Sequence, residues 1–231
     1  MNSFISFRNV RTDDLGLYVA KGGMPSHRKA KQQYTEYNIP GRDGAVTILD
    51  GYGPFDLKAV VMMHDANANM RQIINAWADG TGDLFTSDDT TRVWKATVLK
   101  EVQYSRVEYN GLMYDTATVT FRCQPFMRER TPQVVNLTGD GTLTNKGNVK
   151  AQPKIIVKGS GDCTVQIGDT AITLKGVVTP VTIDCEAGYV YSASGSVSMV
   201  GEFPTLPLGD TDVSFGGGCT GLEITPNWGW I

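Results

Sequence analysis

Short runs in which hydrophobic and polar residues alternate extend along most of the chain. The clearest run is Leu112–Cys123, where from Thr116 onwards apolar residues occupy every second position and Thr or Arg lies between them. Because successive side chains of a strand point to opposite faces, this pattern predicts a strand with one face in a core and one in a polar environment. Runs of this kind predict a mainly β protein. The core positions predicted for this strand are Ala117, Val119, Phe121 and Cys123.

The stretch Ala66–Asp79 has the periodicity of an amphipathic helix instead. Asp65 is a favourable N-cap residue, and Gly80 suits the position that follows a helix C-terminus. The apolar residues are spaced i, i+3, i+4 and i+7, which places them on one face, and we expect that face to pack on a sheet. This stripe consists of Met70, Ile73, Ile74 and Trp77.

The N-terminal region predicts a hairpin followed by a long loop. Phe4–Val10 and Leu15–Ala20 read as strands joined by a polar turn at Arg11–Asp14. Lys21–Gln33 is rich in Lys, Gly, Ser and Gln and has almost no apolar periodicity, so we interpret it as an exposed loop or arm. Tyr34–Ile39 then returns to an extended, half-apolar pattern, and the whole segment to Asn38 could reach a neighbouring molecule.

Two glycines enclose two charged residues in the segment Pro40, Gly41, Arg42, Asp43 and Gly44. Pro fixes its own φ, and Gly permits left-handed conformations, so these residues predict a tight turn between strands. An Arg side chain can bind a carboxylate or carbonyl groups in a fork. We therefore consider this segment a candidate assembly turn, in which Arg42 and Asp43 form charge-assisted hydrogen bonds.

The second half of the chain predicts a separate all-β domain. The charged, Pro-bounded stretch Met127–Pro132 suggests a boundary, which divides the chain into residues 1–130 and 131–231. Beyond it, short predicted strands follow at regular spacing, which is typical of a β-sandwich, and Gly168-Asp169 has the sequence of a two-residue hairpin turn. These strands are Pro153–Lys158, Cys163–Ile167, Thr170–Leu174, Pro180–Asp184, Gly188–Ser192, Ser196–Val200, Thr211–Phe215 and Thr220–Thr225.

Composition narrows the functional classes. The chain has 231 residues, a formal net charge of −3 and a pI near 5.4, which argues against a protein that binds duplex nucleic acid. No apolar run reaches the length of a membrane span, and the N-terminus lacks the apolar core of a signal peptide. We therefore expect synthesis in the cytosol, where the widely spaced cysteines would remain reduced. They are Cys123, Cys163, Cys185 and Cys219.

Candidate chemistry is sparse. His27 and His64 lie far apart, and the sequence has no metal-binding spacing, phosphate loop or nucleophile elbow. Glu186 and Glu202 are residues of the type that a glycosidase uses, but the sequence does not bring them together. We expect no catalytic residue, no metal and no cofactor, and hence a protein that is not an enzyme.

Four aromatic residues of the second domain are candidates for stacking on sugar rings: Tyr189, Tyr191, Trp228 and Trp230. Sugar-binding β-sandwiches use such side chains. The alternative is that Tyr189 and Tyr191, two residues apart, pack on one face of a strand, and that the two Trp residues cap a core or an interface. The packing interpretation is the simpler one, because fold does not imply function.

The order of several short segments resembles the siphophage distal tail protein family. "IPGRDG" follows "SFRNVRTDDLGLYV" and precedes "INAWADGTGDLF", and the chain closes with "GEFPTLPLGDTDVSF" and "LEITPNWGWI". The resemblance covers nearly the whole chain. It implies an N-terminal β-sandwich or barrel-like domain with one packed α-helix, followed by a C-terminal galectin-like β-sandwich.

The resemblance also implies a role in the virion. Proteins of this family form the baseplate hub of long non-contractile tails. The implied assembly is a homo-oligomer, a hexameric ring, joined to the tail tube protein on one side and to the tail-associated hub protein on the other. Receptor-binding proteins are further implied partners, and DNA would pass through the ring without specific binding. Two alternatives remain open, namely a carbohydrate-binding β-sandwich module and another tail-tube or neck component.

Overall fold

The computed structural model describes residues 3–26, 28–64, 69–193, 195 and 197–231. The chain forms two compact units, of which the first ends at Met127 and the second comprises Arg128–Trp230. Strands dominate both units, and an α-helix packs in the first, so the mainly β fold with one packed helix that the sequence predicts is confirmed.

The first unit contains a large antiparallel sheet, a separate two-stranded hairpin and helix α1. In the sheet the strand order is β2-β1-β7-β8-β10-β6-β3, and β9 also pairs with β10, while β4 and β5 pair only with each other. The strands are β1 (Ile5–Phe7), β2 (Val10–Arg11), β3 (Tyr18–Val19), β4 (Gln32–Asn38), β5 (Ala45–Tyr52), β6 (Phe55–His64), β7 (Thr81–Thr86), β8 (Asp89–Val98), β9 (Gln103–Tyr109) and β10 (Leu112–Glu129), with α1 at Met70–Trp77 and a 3-10 turn at Asp13–Leu15.

The core of this unit lies between the sheet and α1. Phe121 of β10 is fully buried, with its ring centroid 5.1 Å from that of Phe7 and 5.8 Å from that of Trp77. Edge-on packing of this kind stabilises aromatic clusters beyond the area that they bury. All the predicted core positions of β10 are fully buried: Ala117, Val119, Phe121 and Cys123.

Helix α1 is shorter than the sequence predicts. It begins at Met70 and ends at Trp77, and the predicted N-cap Asp65 lies outside the described residues. Gly80 has a φ of 73°, but it lies beyond the helix end. Of the predicted stripe, Met70, Ile74 and Trp77 are buried, whereas Ile73 is only partly buried and lines an open apolar groove.

The turn of the first hairpin was predicted at the wrong position. Strands β1 and β2 pair with Phe7 opposite Val10, so the turn is at Arg8 and Asn9 rather than at Arg11–Asp14. Both turn residues have positive φ, as the twist of a two-residue hairpin requires. The Arg8 backbone N–H donates to Asp83 O at 3.0 Å, a contact from another strand that the local sequence does not encode.

The segment predicted as an exposed loop, Lys21–Gln33, is partly packed. Gly23 is buried and bridges to β6, because the Val60 N–H donates to its carbonyl oxygen at 2.9 Å. A Cβ on Gly23 would lie 2.3 Å from Val60 O, so only Gly permits this approach. Ala30 is buried as well, and His27 lies outside the described residues. Most of the other described residues of the segment are exposed, so the predicted exposed loop is packed at only a few positions.

The second unit is an antiparallel assembly centred on two long strands, β13 and β18. The strand order is β11-β18-β13-β14-β17, with β12 on β18 and with β15 pairing both β13 and β16. The strands are β11 (Val135–Leu137), β12 (Gly141–Thr144), β13 (Lys154–Ile167), β14 (Thr170–Val177), β15 (Val181–Asp184), β16 (Tyr189–Ser192), β17 (Ser198–Gly201), β18 (Asp210–Thr225) and β19 (Gly229–Trp230).

Two pairs of predicted strands are each one continuous strand. β13 spans both Pro153–Lys158 and Cys163–Ile167, and β18 spans both Thr211–Phe215 and Thr220–Thr225. The glycines between them allow close approach of two backbones, because a Cβ on Gly218 would lie 1.6 Å from Ser160 O. The predicted two-residue turn does connect β13 to β14, and Gly168 has a φ of 53°.

Candidate functional site

The β4–β5 hairpin stands apart from the packed sheets. All seven residues of β4 are exposed, and within the described ranges its backbone pairs with β5 alone. At its base the Gly53 N–H donates to Lys31 O at 2.8 Å, and the ring of Tyr52 meets that of Phe126 edge-on at 5.4 Å. The hairpin is thus fixed at its base and uncovered along its length.

Large apolar side chains are exposed on both faces of this hairpin. Tyr34 lies opposite Leu49 on one face, and by alternation Tyr37 and Ile48 lie on the other. An isolated two-stranded hairpin is marginally stable in water, and contiguous exposed apolar surface often marks an interaction site. The exposed fractions are 56% for Tyr34, 54% for Tyr37, 47% for Ile39, 50% for Ile48 and 57% for Leu49.

The candidate assembly turn forms the tip of this hairpin. Pro40, Gly41, Arg42, Asp43 and Gly44 connect β4 to β5, and all five are exposed. Gly41 and Gly44 have φ of 82° and 79°, and the Arg42 N–H donates to Ile39 O at 3.1 Å. Within the described part of the chain, the side chains of Arg42 and Asp43 make no hydrogen bond. The backbone alone therefore holds the turn, and the hydrogen-bonding groups of both side chains face solvent.

The sugar-stacking candidates separate into two groups. Tyr189 and Tyr191 lie side by side on β16, with ring centroids 5.4 Å apart, and are 51% and 42% exposed. Trp228 is 4% exposed and belongs to the core of the second unit, against which Trp230 packs. A buried ring has no free face for a sugar, so the structure does not bring the four together in one platform.

Glu186, one of the two carboxylates considered for catalysis, forms an ion pair. Glu186 Oε1 accepts a hydrogen bond from Arg128 Nη2 at 3.1 Å, and Arg128 also donates to Asn227 O. This arrangement ties the start of the second unit to its own loops. Among the described residues, no group of three or more His, Cys, Asp and Glu side chains could hold a metal ion. None of the helices in that part of the chain is long and apolar enough to span a membrane.

Charged groups of the first unit form ion pairs on its sheet. Asp56 of β6 lies opposite Arg122 of β10, whose Nη1 donates to Asp56 Oδ1 at 3.0 Å, and Lys100 donates to the other carboxylate oxygen. Hydrogen bonds from Lys100 and Arg122 lower the pKa of Asp56. Similarly, a hydrogen bond from Arg106 lowers the pKa of Asp115. The Asp56–Arg122 pair joins β6 to β10, and the Asp115–Arg106 pair joins β9 to β10.

Sequence reasoning missed the apolar hairpin surface, although a signal was present. Tyr34 and Tyr37 are three residues apart, and Ile48 and Leu49 are adjacent. Residues on one face of a strand are separated by an even number of positions, so neither pair shares a face. Such spacing places apolar side chains on both faces of a strand. In a two-stranded hairpin one of those faces must be uncovered in the single chain.

No protein-family model matches the sequence, and no curated protein matches it significantly. Solved structures do. The crystal structure of the SPP1 Dit protein (gp 19.1), described as a paradigm of the hub adsorption apparatus in phages that infect Gram-positive hosts, matches with a TM-score of 0.73 at 14% identity. The match covers 97% of this chain and 98% of SPP1 Dit.

The fold of this chain is similar to that of SPP1 Dit. Baseplate structures of phage P2 in the activated conformation also match, with TM-scores of 0.45 (with Ca, 8% identity, 96% of each chain) and 0.41 (with Sr, 7% identity, 96% and 97%). These two scores are too low to support an argument. The SPP1 Dit match confirms, at the level of the fold, the resemblance to distal tail proteins that the sequence predicts.

Proposed function

We propose that this protein is a structural component of a siphophage virion, the distal tail protein at the tail tip. The observation that supports this most is the similarity in fold to SPP1 Dit, which extends over almost the full length of both chains. The protein would be made and assembled in the host cytoplasm and would act without catalysis or a cofactor.

In this role the protein forms a ring. The resemblance to distal tail proteins implies that this ring is a hexamer. The ring joins the tail tube protein to the tail-associated hub protein, and receptor-binding proteins attach farther out. A ring requires that one surface of each subunit contacts a different surface of the next subunit, and that the rotation from subunit to subunit closes the circle. DNA passes through the lumen, and the net charge of −3 accords with passage without specific binding.

The β4–β5 hairpin supplies one of the two surfaces in this proposal. It exposes Tyr34, Tyr37, Ile48 and Leu49 on two faces, so a single chain leaves apolar area in contact with water that a neighbour could cover. Burial of such area stabilises association by about 25 cal/mol per Å². The fork of Arg42 at the tip would bind a carboxylate or carbonyl groups of the neighbour.

The ring is tested with two hairpin variants of the full chain and a matched control. Tyr37→Ser combined with Ile48→Ser removes the apolar side chains of one face, and Arg42→Ala removes the fork. Leu208→Ser is the control, because Leu208 is 61% exposed but lies outside the hairpin. Light scattering measures the oligomer, circular dichroism measures folding, and a complementation assay measures tail assembly.

We expect the wild-type chain and Leu208→Ser to form the ring, and the double variant to remain a folded monomer. Arg42→Ala should weaken the ring or its joining to the tail while the monomer stays folded. A wild-type chain that is monomeric in isolation and dispensable for tail assembly would contradict the proposal. Intact assembly in the double variant would remove the hairpin from the interface.

The ring domain and the projecting domain would be residues 1–130 and 131–231. The residues Arg130–Val134 after β10 are all exposed, which makes them accessible to a protease. Trypsin should cleave after Arg130 and leave two folded fragments that mass spectrometry identifies, besides nicking the exposed turn at Arg42. If early cleavage occurs only within residues 140–225, the second domain does not fold as a unit.

A second candidate function is carbohydrate binding by the second domain. Tyr189 and Tyr191 support it, since two exposed rings 5.4 Å apart offer an aromatic surface to a sugar. The test is a glycan array with the wild-type chain and a Tyr189→Ala, Tyr191→Ala variant. A glycan signal that the variant loses would favour this function, and no signal would leave the tyrosines as surface packing.

A further inference from the structure

The pairing between β13 and β18 is interrupted in one region. The register shifts between Lys158 and Gly159, where β18 has an extra residue, and again between Gly159 and Cys163, where β13 has extra residues, so both strands contribute to this bulge. Opposite the bulge the backbones are almost in contact: a Cβ on Gly217 would lie 2.4 Å from Asp162 O. Such contact fixes the position of both strands around the bulge.

Two cysteines flank this bulge from opposite strands. Cys219 lies opposite Gly159, and Cys163 lies opposite Gly217, where regular pairing resumes. A Cβ on Gly159 would lie 3.0 Å from Cys163 Sγ and 2.8 Å from Cys219 Cα, so both cysteines border the same point in space. Both cysteines lack a disulfide and are free thiols in this structure. They are 56 positions apart in the sequence, and the bulge brings them together.

The two thiols differ in accessibility. Cys163 is fully buried, whereas Cys219 is partly exposed. Burial raises the pKa of Cys219, and its thiol donates to Gly221 O at 3.7 Å. Cys219 is therefore the thiol that a reagent in solution reaches first, and Cys163 lies behind it within reach of a second step.

We propose that Cys163 and Cys219 are a redox-active pair that forms a reversible disulfide between β13 and β18. This goes beyond the proposed role in the tail. The oxidant is a low-molecular-weight disulfide such as glutathione disulfide. The thiolate of Cys219 attacks one sulfur of the reagent, the reagent's S–S bond breaks, and one thiol leaves after taking up a proton.

The second step completes the exchange. Cys163 loses its proton and attacks the sulfur of Cys219, an S–S bond forms between the two residues, and the second reagent thiol leaves. The protein loses two protons and two electrons, and the reagent takes them up and is reduced to two thiols. In a reducing cytoplasm the pair stays open, and it closes when the protein meets oxidising surroundings.

Cys123 and Cys185 provide an internal comparison. Both are buried, and burial raises the pKa of each to about 12. Because the thiolate is the reactive form, these two thiols should remain inert under mild oxidation. A buried cysteine in this state is simply a small apolar core residue. The pair at the bulge differs because it has one accessible thiol and a thiol neighbour.

The test uses the folded full-length chain with glutathione disulfide near pH 8, followed by denaturation, alkylation of free thiols and peptide mass spectrometry. We expect two of the four thiols to be lost, a mass decrease of about 2 Da in the intact chain before alkylation, and a cross-linked peptide pair joining Cys163 to Cys219. Dithiothreitol should restore all four. Cys219→Ser should abolish the loss, and the matched control Cys185→Ser should not.

In Cys163→Ser, a glutathione adduct on Cys219 should accumulate, because the resolving thiol is gone. The proposal is overturned if all four wild-type thiols stay free, if a Cys219 adduct persists in the wild type without closing, or if the cross-link joins other cysteines. If Cys163→Ser does not fold, the time course of thiol loss and cross-linking in the wild type tests the proposal by itself.

Discussion

Two antiparallel strand pairs of this protein, β4–β5 and β13–β18, have opposite relations to solvent. The first bears exposed Tyr, Ile and Leu side chains and pairs with no other strand among the residues that the structure describes. The second lies at the centre of its sheet and carries buried side chains such as Ile155, Val165 and Leu222. Both have apolar residues, so hydrophobicity alone does not decide which pair is a core. The elements that surround a strand pair decide whether its apolar side chains are buried. In the proposed assembly, another molecule covers those of the hairpin.

The largest expected effect compares one leucine from each pair. Leu222→Ala on β18 should lower the free energy of unfolding by about 2–5 kcal/mol, because it empties a fully packed site. Leu49→Ala on β5 should change it by less than about 0.5 kcal/mol in the monomer, since Leu49 is 57% exposed. Urea denaturation of the two variants measures both values. Equal losses would show that the hairpin is packed within a single chain.

A smaller effect compares one glycine from each pair. Gly218→Ala should destabilise the chain by about 1–3 kcal/mol, because backbone must move to admit the methyl group. Gly41→Ala meets nothing within 4 Å, so its only cost is the left-handed φ of 82°. That cost is about 1–2 kcal/mol. Thermal unfolding measures the loss of stability in both variants. A larger loss in Gly41→Ala than in Gly218→Ala would contradict the tight approach of the backbones at Gly218.

The smallest effect is on acid stability and compares Asp56 on the packed sheet with Asp43 on the hairpin tip. The pKa of Asp56 is lowered in the folded state, so its contribution is present above the unfolded pKa of about 3.9 and is lost as the pH falls through the folded pKa. Asp56→Asn should therefore make unfolding less dependent on pH below about pH 4. The effect is modest, since the Asp56 side chain is 23% exposed and its partners are more so.

Asp43→Asn is the matched control for this measurement. Asp43 is exposed and has no side-chain hydrogen bond within the described part of the chain, so the variant should retain the wild-type acid unfolding curve. Denaturation midpoints between about pH 2 and pH 7 give the comparison. A variant at Asp56 that follows the wild-type curve would show that its ion pairs contribute nothing measurable to folding.

The elements that were predicted correctly share a local signature. Alternation in β10 identified its core positions, the stripe of α1 identified Ile74 and Trp77, and Gly168 identified a hairpin turn. The errors occurred where a distant contact decided the outcome. The turn at Arg8 and Asn9 is held in part by Asp83, and the continuity of β18 depends on its approach to β13.

The sequence by itself determined the mainly β character, the position of the helix and the turn of Pro40–Gly44, because periodicity and turn chemistry act over a few residues. Only the tertiary structure decided that β4–β5 stands uncovered, that Trp228 enters the core, and that Cys163 meets Cys219. The physical reason is that burial and proximity depend on residues far apart in the chain, whose pairing is selected by the packing of the whole unit.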